Sequence, residues 1–179
     1  ELLIPDQPTL HLLLPSIRKE VDIMRRNHHP NITGLLGVHF DEKMGKIFIL
    51  MPLLCGNLKE YFYTMKKKCV NVTMLQRLSF CYDIMLGLTW LHSQEPKVLH
   101  LDLKMENILY DEQEVMKIAD FGLSALVDND VTHITSDTCP GNLGHMAPEV
   151  IRKQKFNEKA DVYGMGILMW EILKGYEWE

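Results

Sequence analysis

Two long segments of this chain are apolar on nearly every side of a helix, and they constrain the fold more than any other feature. One begins at the capping pattern Thr73–Gln76 and ends near His92, and the other covers Asp161 to Leu173. A helix without a polar face is stable only when other parts of the chain bury it. We therefore expect both helices to be largely buried in one helical body, with Gly175 ending the second.

The first third of the chain has a different pattern. Leu14 to Asn27 has the periodicity of an amphipathic helix, and the segments from Ile32 to Phe40 and from Lys46 to Met51 are typical of strands. Asn57, with Glu60 three residues later, is predicted to cap a short helix. Short strand-like runs follow at 98–99, 108–110 and 115–118, and the stretch 122–148 has only weak periodicity. This order predicts an α+β fold with a small strand-bearing end and a larger helical body.

Composition excludes several classes of protein. The 179 residues include 19 Lys+Arg and 24 Asp+Glu, a formal net charge of −5, so we expect no general binding to nucleic acid or anionic membranes. The apolar run from Val162 to Trp170 is far shorter than the ~20 residues of a membrane span. The four cysteines form no CxxC pair and indicate reduced thiols in a cytoplasmic protein. The basic run Lys66–Lys68 is typical of a solvated helix end.

The most informative motifs lie in the second half. The chain has His100-Leu-Asp102-Leu-Lys104-Met-Glu-Asn107, then Asp120-Phe-Gly122, and then Ala147-Pro-Glu149. In this order they resemble the catalytic loop, the magnesium-binding loop and the end of the activation segment of the eukaryotic protein kinase family. In its general pattern of residues, the sequence is similar to the tyrosine-kinase-like group of serine/threonine kinases.

The resemblance implies a protein-kinase-like α+β fold, truncated at both ends. Residues 1–51 would be the remnant of the small strand lobe, 52–56 the hinge, and 57–179 an incomplete helical lobe. The chain starts with Glu1 rather than Met and contains no glycine-rich loop. The lysine expected to pair with Glu20 is missing and should lie at or just before the chain start. We therefore expect a fragment with little kinase activity of its own.

The resemblance also implies a set of site residues. Asp102 would orient the acceptor hydroxyl of a protein substrate and take its proton, while Lys104 would place a positive charge on the phosphoryl group transferred from ATP. Asn107 and Asp120 would hold Mg²⁺ through an amide and a carboxylate oxygen. In the family pattern a lysine at this position accompanies serine/threonine specificity.

The adenine side of the site is implied in the same way. Met51 resembles the gatekeeper, Pro52 and Leu54 would offer backbone groups to adenine, and Leu109 would form the apolar floor beneath it. The resemblance also predicts a stacked spine between the lobes, anchored by Asp161. Its members would be Met24, Leu35, His100 and Phe121.

Two positions depart from the family pattern. Leu101 occupies the place of an arginine that grips a phosphorylated activation loop, so switching by that route is not expected. Asn142 replaces a threonine that bonds the catalytic aspartate, although an asparagine side chain can also donate. The alternative function is a pseudokinase or scaffold that uses the fold for protein binding. Its usual signature is loss of Asp102, Asn107 or Asp120, and all three are present.

Overall fold

The computed structural model describes residues 15–41, 46–127 and 142–175. Five α-helices, seven short strands and one 3₁₀ helix, Met105–Asn107, occur in these ranges. The helices are α1 (Pro15–Arg26), α2 (Leu58–Lys67), α3 (Met74–His92), α4 (Pro148–Ile151) and α5 (Lys159–Lys174). The strands are β1 (Gly37–Asp41), β2 (Lys46–Leu50), β3 (Gly56–Asn57), β4 (Lys97–Leu99), β5 (Ile108–Tyr110), β6 (Met116–Ile118) and β7 (Ala125–Val127). This order confirms the predicted α+β class.

The strand-bearing end combines α1 with one antiparallel pair. β1 and β2 pair in the register Gly37↔Leu50 to Asp41↔Lys46. Val21 of α1 and Val38 of β1 are both buried in a small cluster of their own. The predicted first strand was too long at its start, because residues 32–36 lie outside the ladder. Ile32 instead forms an isolated bridge with Ile118, which ties this end to the body.

Capping patterns set the starts of α2 and α3 as the sequence predicted. The Asn57 side chain accepts from the Glu60 amide at 2.9 Å, and Thr73 accepts from the Gln76 amide at 3.2 Å. Both boxes are reciprocal, so each satisfies amide groups that the first helical turn leaves without partners. Among the described helices, none is both long and apolar enough to cross a bilayer.

The expectation that α3 and α5 are largely buried is wrong for one side of each helix. The inner side of α3, including Ile84 and Leu91, is fully buried against β4, β6 and α5. On the opposite side Leu75 is 79% exposed, and five further apolar residues, Leu78, Tyr82, Met85, Leu86 and Trp90, are also exposed. Val162, Tyr163 and Trp170 of α5 are exposed as well. Within the described ranges, nothing covers these faces.

The polar segment 100–107 lies between two small sheets. β5 pairs with β3 and β6, and β4 pairs with β7. β7 lies in the stretch where the sequence showed only weak periodicity; residues 128–141 of that stretch lie outside the described residues. The segment 100–107 connects β4 to β5, so both of its ends are held by sheet hydrogen bonds.

Candidate functional site

The loop between β4 and β5 holds a buried carboxylate at its centre. Asp102 is 4% exposed. Its Oδ2 accepts from the Asn107 amide nitrogen at 2.8 Å and pairs with the Lys104 ammonium. Its Oδ1 accepts from the backbone N–H of Asn142 at 3.2 Å. The loop therefore brings three of the sequence-predicted residues, Asp102, Lys104 and Asn107, into direct contact.

Asn107 also connects this loop to the segment that contains Asp120. Its Nδ2 donates to the Asp102 carbonyl at 3.0 Å, and its own carbonyl accepts from the Ala119 amide at 2.9 Å. Asp120 follows directly, with φ of 65° in the left-handed region. Its Oδ1 accepts from the Gly122 amide at 3.3 Å. The backbone thus places the amide of Asn107 and the exposed carboxylate of Asp120 on neighbouring segments.

Asp161, the third residue of α5, fixes the start of the segment 100–107 through hydrogen bonds. This carboxylate is 2% exposed, and it accepts from the backbone amides of His100 at 2.8 Å and Leu101 at 2.7 Å. His92, the last residue of α3, lies 2.8 Å away through Nε2. Leu101 is held at φ of 64°, a conformation that costs a non-glycine residue roughly 1–2 kcal/mol. The two short bonds from the amides supply an opposing stabilisation.

His100 has a structural environment rather than a catalytic one. Its ring is fully buried, and its Nδ1 accepts from the Asp102 amide at 3.3 Å. Nε2 therefore carries the proton and donates to the Ala119 carbonyl at 3.0 Å. The ring meets Phe121 edge-on, with centroids 5.4 Å apart. Met24 and Phe121 share the main core, and Leu35 packs against it.

Glu20 of α1 lies near Asp120. Burial raises the pKa of the Glu20 carboxyl, and the nearby charge of Asp120 raises this pKa further. The two acids are therefore close enough to repel one another when both are ionised. Within the described residues no cation forms an ion pair with Glu20, so this part of the site favours a positive charge.

The residues assigned to adenine lie on a more open surface. Met51 and Pro52 directly follow β2; Met51 is 44% exposed, whereas Leu54 and Leu109 are half-buried. Leu109 is the central residue of β5, where it pairs with Asn57 and Lys117. The segment is tied to the body beside Leu109, because the Cys55 amide donates to the Tyr110 carbonyl at 2.9 Å.

The structure corrects the role expected of the Asn142 side chain. The backbone amide of Asn142, not its side chain, donates to Asp102. The side-chain oxygen accepts from the Gly144 amide at 3.0 Å and so shapes its own turn. Any residue type except proline offers the same backbone N–H, so the side chain at position 142 does not determine whether Asp102 receives this hydrogen bond.

Sequence reasoning also missed His92 as a partner of Asp161. A histidine in the last turn of a helix is already explained by its favourable interaction with the helix dipole. Nothing in the local pattern therefore indicated that His92 contacts a residue 69 positions later. Leu101 packs against the second apolar cluster, which contains Leu99, Met146 and Val150. An apolar contact therefore occupies the position where the family pattern has a charge.

The described residues at this site offer a metal ion few ligands. Within the described residues, no group of three or more His, Cys, Asp or Glu side chains is arranged to hold an ion. Asn107 and Asp120 supply one amide and one carboxylate. That is a poor site for Zn²⁺, but it fits Mg²⁺, which commonly binds one or two protein oxygens together with phosphate oxygens and water.

Comparison with known proteins agrees with the motifs. The sequence profile of a family described as protein tyrosine and serine/threonine kinase matches residues 11–177. Dual specificity protein kinase shkA of Dictyostelium discoideum is 38% identical over 173 residues, which are 96% of this chain and 31% of that protein. Serine/threonine-protein kinase CTR1 of Arabidopsis thaliana is 35% identical over 154 residues, which are 86% of this chain and 18% of that protein. The chain thus spans at most about a third of the length of these relatives.

Proposed function

Because the chain belongs to the protein tyrosine and serine/threonine kinase family, we propose that it is the central part of a catalytic domain that phosphorylates proteins on serine and threonine. The reaction is transfer of the γ-phosphoryl group of ATP to a hydroxyl. One observation carries the proposal: the Asp102 carboxylate is fixed between Lys104 and Asn107 at the base of the loop. We assign residues 1–51 to the strand lobe, 52–56 to the hinge and 57–179 to the helical lobe.

Asp102 orients the attacking hydroxyl. Two donors and one ammonium group hold its carboxylate in one position, so the hydroxyl meets an acceptor that does not need to reorganise. The proton passes to Asp102 as the oxygen–phosphorus bond forms. Lys104, which contacts the same carboxylate, brings positive charge to the oxygens of the transferred phosphoryl group.

Asn107 and Asp120 are the residues that would hold Mg²⁺. When bound, the ion neutralises charge on the phosphate oxygens of ATP. The chain's own contribution is to keep these two oxygens on adjacent segments through the bond from the Ala119 amide to the Asn107 carbonyl. Asp120, whose backbone is left-handed, is exposed, whereas Phe121, which follows it, is fully buried.

Met51, Pro52, Leu54 and Leu109 would form the adenine site. Leu109 supports the base from the body, and the backbone of the connecting segment supplies hydrogen bonds. Pro52 lacks an amide hydrogen but keeps its carbonyl, which is the group that the amino group of adenine needs. Relatives named as dual specificity kinases also have substantial identity; Lys104 is the feature that favours serine and threonine here.

Nucleotide binding tests the proposal first. Thermal unfolding of the 179-residue chain is compared with and without ATP and Mg²⁺, for the wild type, Asp120→Ala and the exposed control Glu112→Ala. We expect the ligand to raise the midpoint for the wild type and the control, and not for Asp120→Ala, because only binding to the folded state stabilises it. No shift in the wild type would favour the scaffold function.

Transfer is tested separately, in the protein expressed from its complete gene. Asp102→Asn should retain the shift with ATP and Mg²⁺ and lose phosphorylation of a protein substrate by about 10²–10⁴-fold, the usual contribution of a positioned acid or base. Phosphoamino-acid analysis of the product distinguishes serine and threonine from tyrosine. An Asp102→Asn variant with unchanged activity would refute the role of Asp102.

A further inference from the structure

The end of α2 faces a cavity that the proposed kinase chemistry does not use. It has a volume of about 250 Å³ and lies between the end of α2, the loop before α3 and the end of α5. Its walls combine apolar residues, among them Phe62, Met65 and Val72, with three cations. The cations are Lys66, Arg77 and Lys174. Lys66 belongs to the basic run seen in the sequence, whereas the other two come from α3 and α5.

The positive charge around this cavity contrasts with the negative net charge of the chain. The formal net charge is −5, yet among the described residues no acidic side chain lines this cavity. Lysines near helix ends are common because they offset the partial negative charge of the last carbonyls. That effect accounts for Lys66 and Lys174, and the Lys174 ammonium also lies 4.9 Å from the centroid of the Trp170 ring. It does not account for Arg77, which is in the first turn of α3 and adds a third cation to the lining of the same cavity.

Arg77 is fixed in place before any ligand arrives. Its Nε donates to the Val72 carbonyl at 3.0 Å, and its Nη1 donates to the carbonyls of Ile172 at 3.2 Å and Leu173 at 3.1 Å. The guanidinium also lies over the Phe62 ring, 5.5 Å from its centroid. Within the described residues, Nη2 forms no hydrogen bond. A preorganised guanidinium loses little side-chain entropy when it binds a carboxylate.

We propose that this cavity is a docking site for an acidic peptide segment of a partner protein. The segment would place a carboxylate on Arg77 and the two lysines and an aromatic or aliphatic side chain against Phe62 and Val72. Charge complementarity selects an acidic partner, and the apolar walls select one that also carries a large apolar residue. Because the site is separate from Asp102 and Asp120, it does not depend on phosphoryl transfer.

Fluorescence anisotropy with the 179-residue chain tests this. The probe is a fluorescein-labelled peptide, Glu-Glu-Leu-Trp-Glu-Glu, and the matched probe has glutamine at every glutamate. We expect the acidic probe to bind, the glutamine probe to bind at least about tenfold more weakly, and affinity to fall as salt rises. Equal binding of the two probes, or no binding of the acidic one, would overturn the proposal.

Variants locate the site. The double substitution Lys66→Gln/Lys174→Gln removes two exposed charges and should weaken binding of the acidic probe about tenfold. The matched control Lys153→Gln/Lys155→Gln removes two exposed lysines elsewhere and should change it less than about twofold. Circular dichroism verifies that both variants fold. Equal losses in both would show nonspecific attraction and overturn the proposal.

The chain's own acidic residues are the competing occupant. Glu177 and Glu179 follow Gly175, which lines the cavity. If the probe binds only to a Glu177→Gln/Glu179→Gln variant and not to the wild type, the cavity serves the chain itself and the proposal is wrong. If the wild type and this variant bind the probe alike, the site is open to a partner.

Discussion

Asp161 of α5 and Glu20 of α1 are two carboxylates near the candidate site, and their surroundings differ sharply. Asp161 accepts from two backbone amides and lies 2.8 Å from a histidine nitrogen. Glu20 faces another acid, and its pKa is raised by burial and then by Asp120. Hydrogen bonds therefore satisfy the buried Asp161 of the helical body, whereas Glu20 of the strand-bearing end has no cationic partner among the described residues. This difference locates the place where a nucleotide with its metal, or a cationic side chain, would contribute most.

Removal of the Asp161 carboxylate is expected to have the largest effect on stability. Asp161→Ala leaves the His100 and Leu101 amides and the His92 ring without this acceptor, and each buried donor left unsatisfied typically costs about 1–3 kcal/mol. Urea unfolding followed by circular dichroism measures it. Asp22→Ala, which removes an exposed ion pair with Arg26, is the control and should cost at most about 1 kcal/mol. Similar values for both would mean that Asp161 does not organise the body.

The contact between the two regions can be broken next. A Cβ at Gly87 would lie 2.6 Å from the Asn31 carbonyl, whereas one at Gly166 would meet nothing within 4 Å. Gly87→Ala should therefore destabilise the fold by about 1–3 kcal/mol through overpacking. Gly166→Ala, also in a helix, should stabilise it by roughly 0.5–1 kcal/mol. Substitutions that change unfolding in the same direction would contradict the close approach.

Titration sharpens the contrast at Glu20. Because its pKa is raised above the ordinary value of 4.5, the folded state binds the proton more tightly than the unfolded state does, and Glu20 destabilises the fold as pH rises above that value. Glu20→Gln should be more stable than the wild type at pH 7, and this difference should vanish below pH 4.5. Urea unfolding at several pH values measures it, with Glu112→Gln as the surface control. A difference that persists at low pH would refute the electrostatic cause.

The smallest effect is expected on the connecting segment. Leu53 is 99% exposed, so Leu53→Ser should change the free energy of unfolding by no more than about 0.5 kcal/mol. Thermal or urea unfolding measures this, and Leu58→Ser, at a fully buried position a few residues later, provides the contrast. A large loss at Leu53 would show that this segment packs against more than the described residues.

Much of the fold was predictable because the signals are local. Capping residues such as Asn57 and Thr73 act on amides three residues away, and the strand-like segments at 32–40 and 46–51 predicted the β1–β2 pair. The prediction that α3 is largely buried is wrong for its outer side, since an apolar pattern shows which residues would gain from burial but not whether another element covers them. The short β7 and α4 were missed because their stability comes from tertiary pairing.

The residues of the candidate site also divide into those indicated by local sequence and those that only tertiary contacts bring together. Asp102, Lys104 and Asn107 lie within six residues of one motif, and its resemblance to the catalytic loop of the family indicated them together; their roles stay predictions. The partner of Asp161, the backbone donor at Asn142 and the acid facing Glu20 each depend on segments far apart in the chain. No local pattern encodes such distances.

Sequence by itself determined which residues can accept protons, donate bonds or end helices, because those properties belong to single side chains and their nearest neighbours. Tertiary structure decided which of them meet. It placed His92 on Asp161, set Asp120 against Glu20, and gathered Lys66, Arg77 and Lys174 around one cavity. Coulomb and hydrogen-bond energies depend on separation in space, and only the folded chain sets that separation.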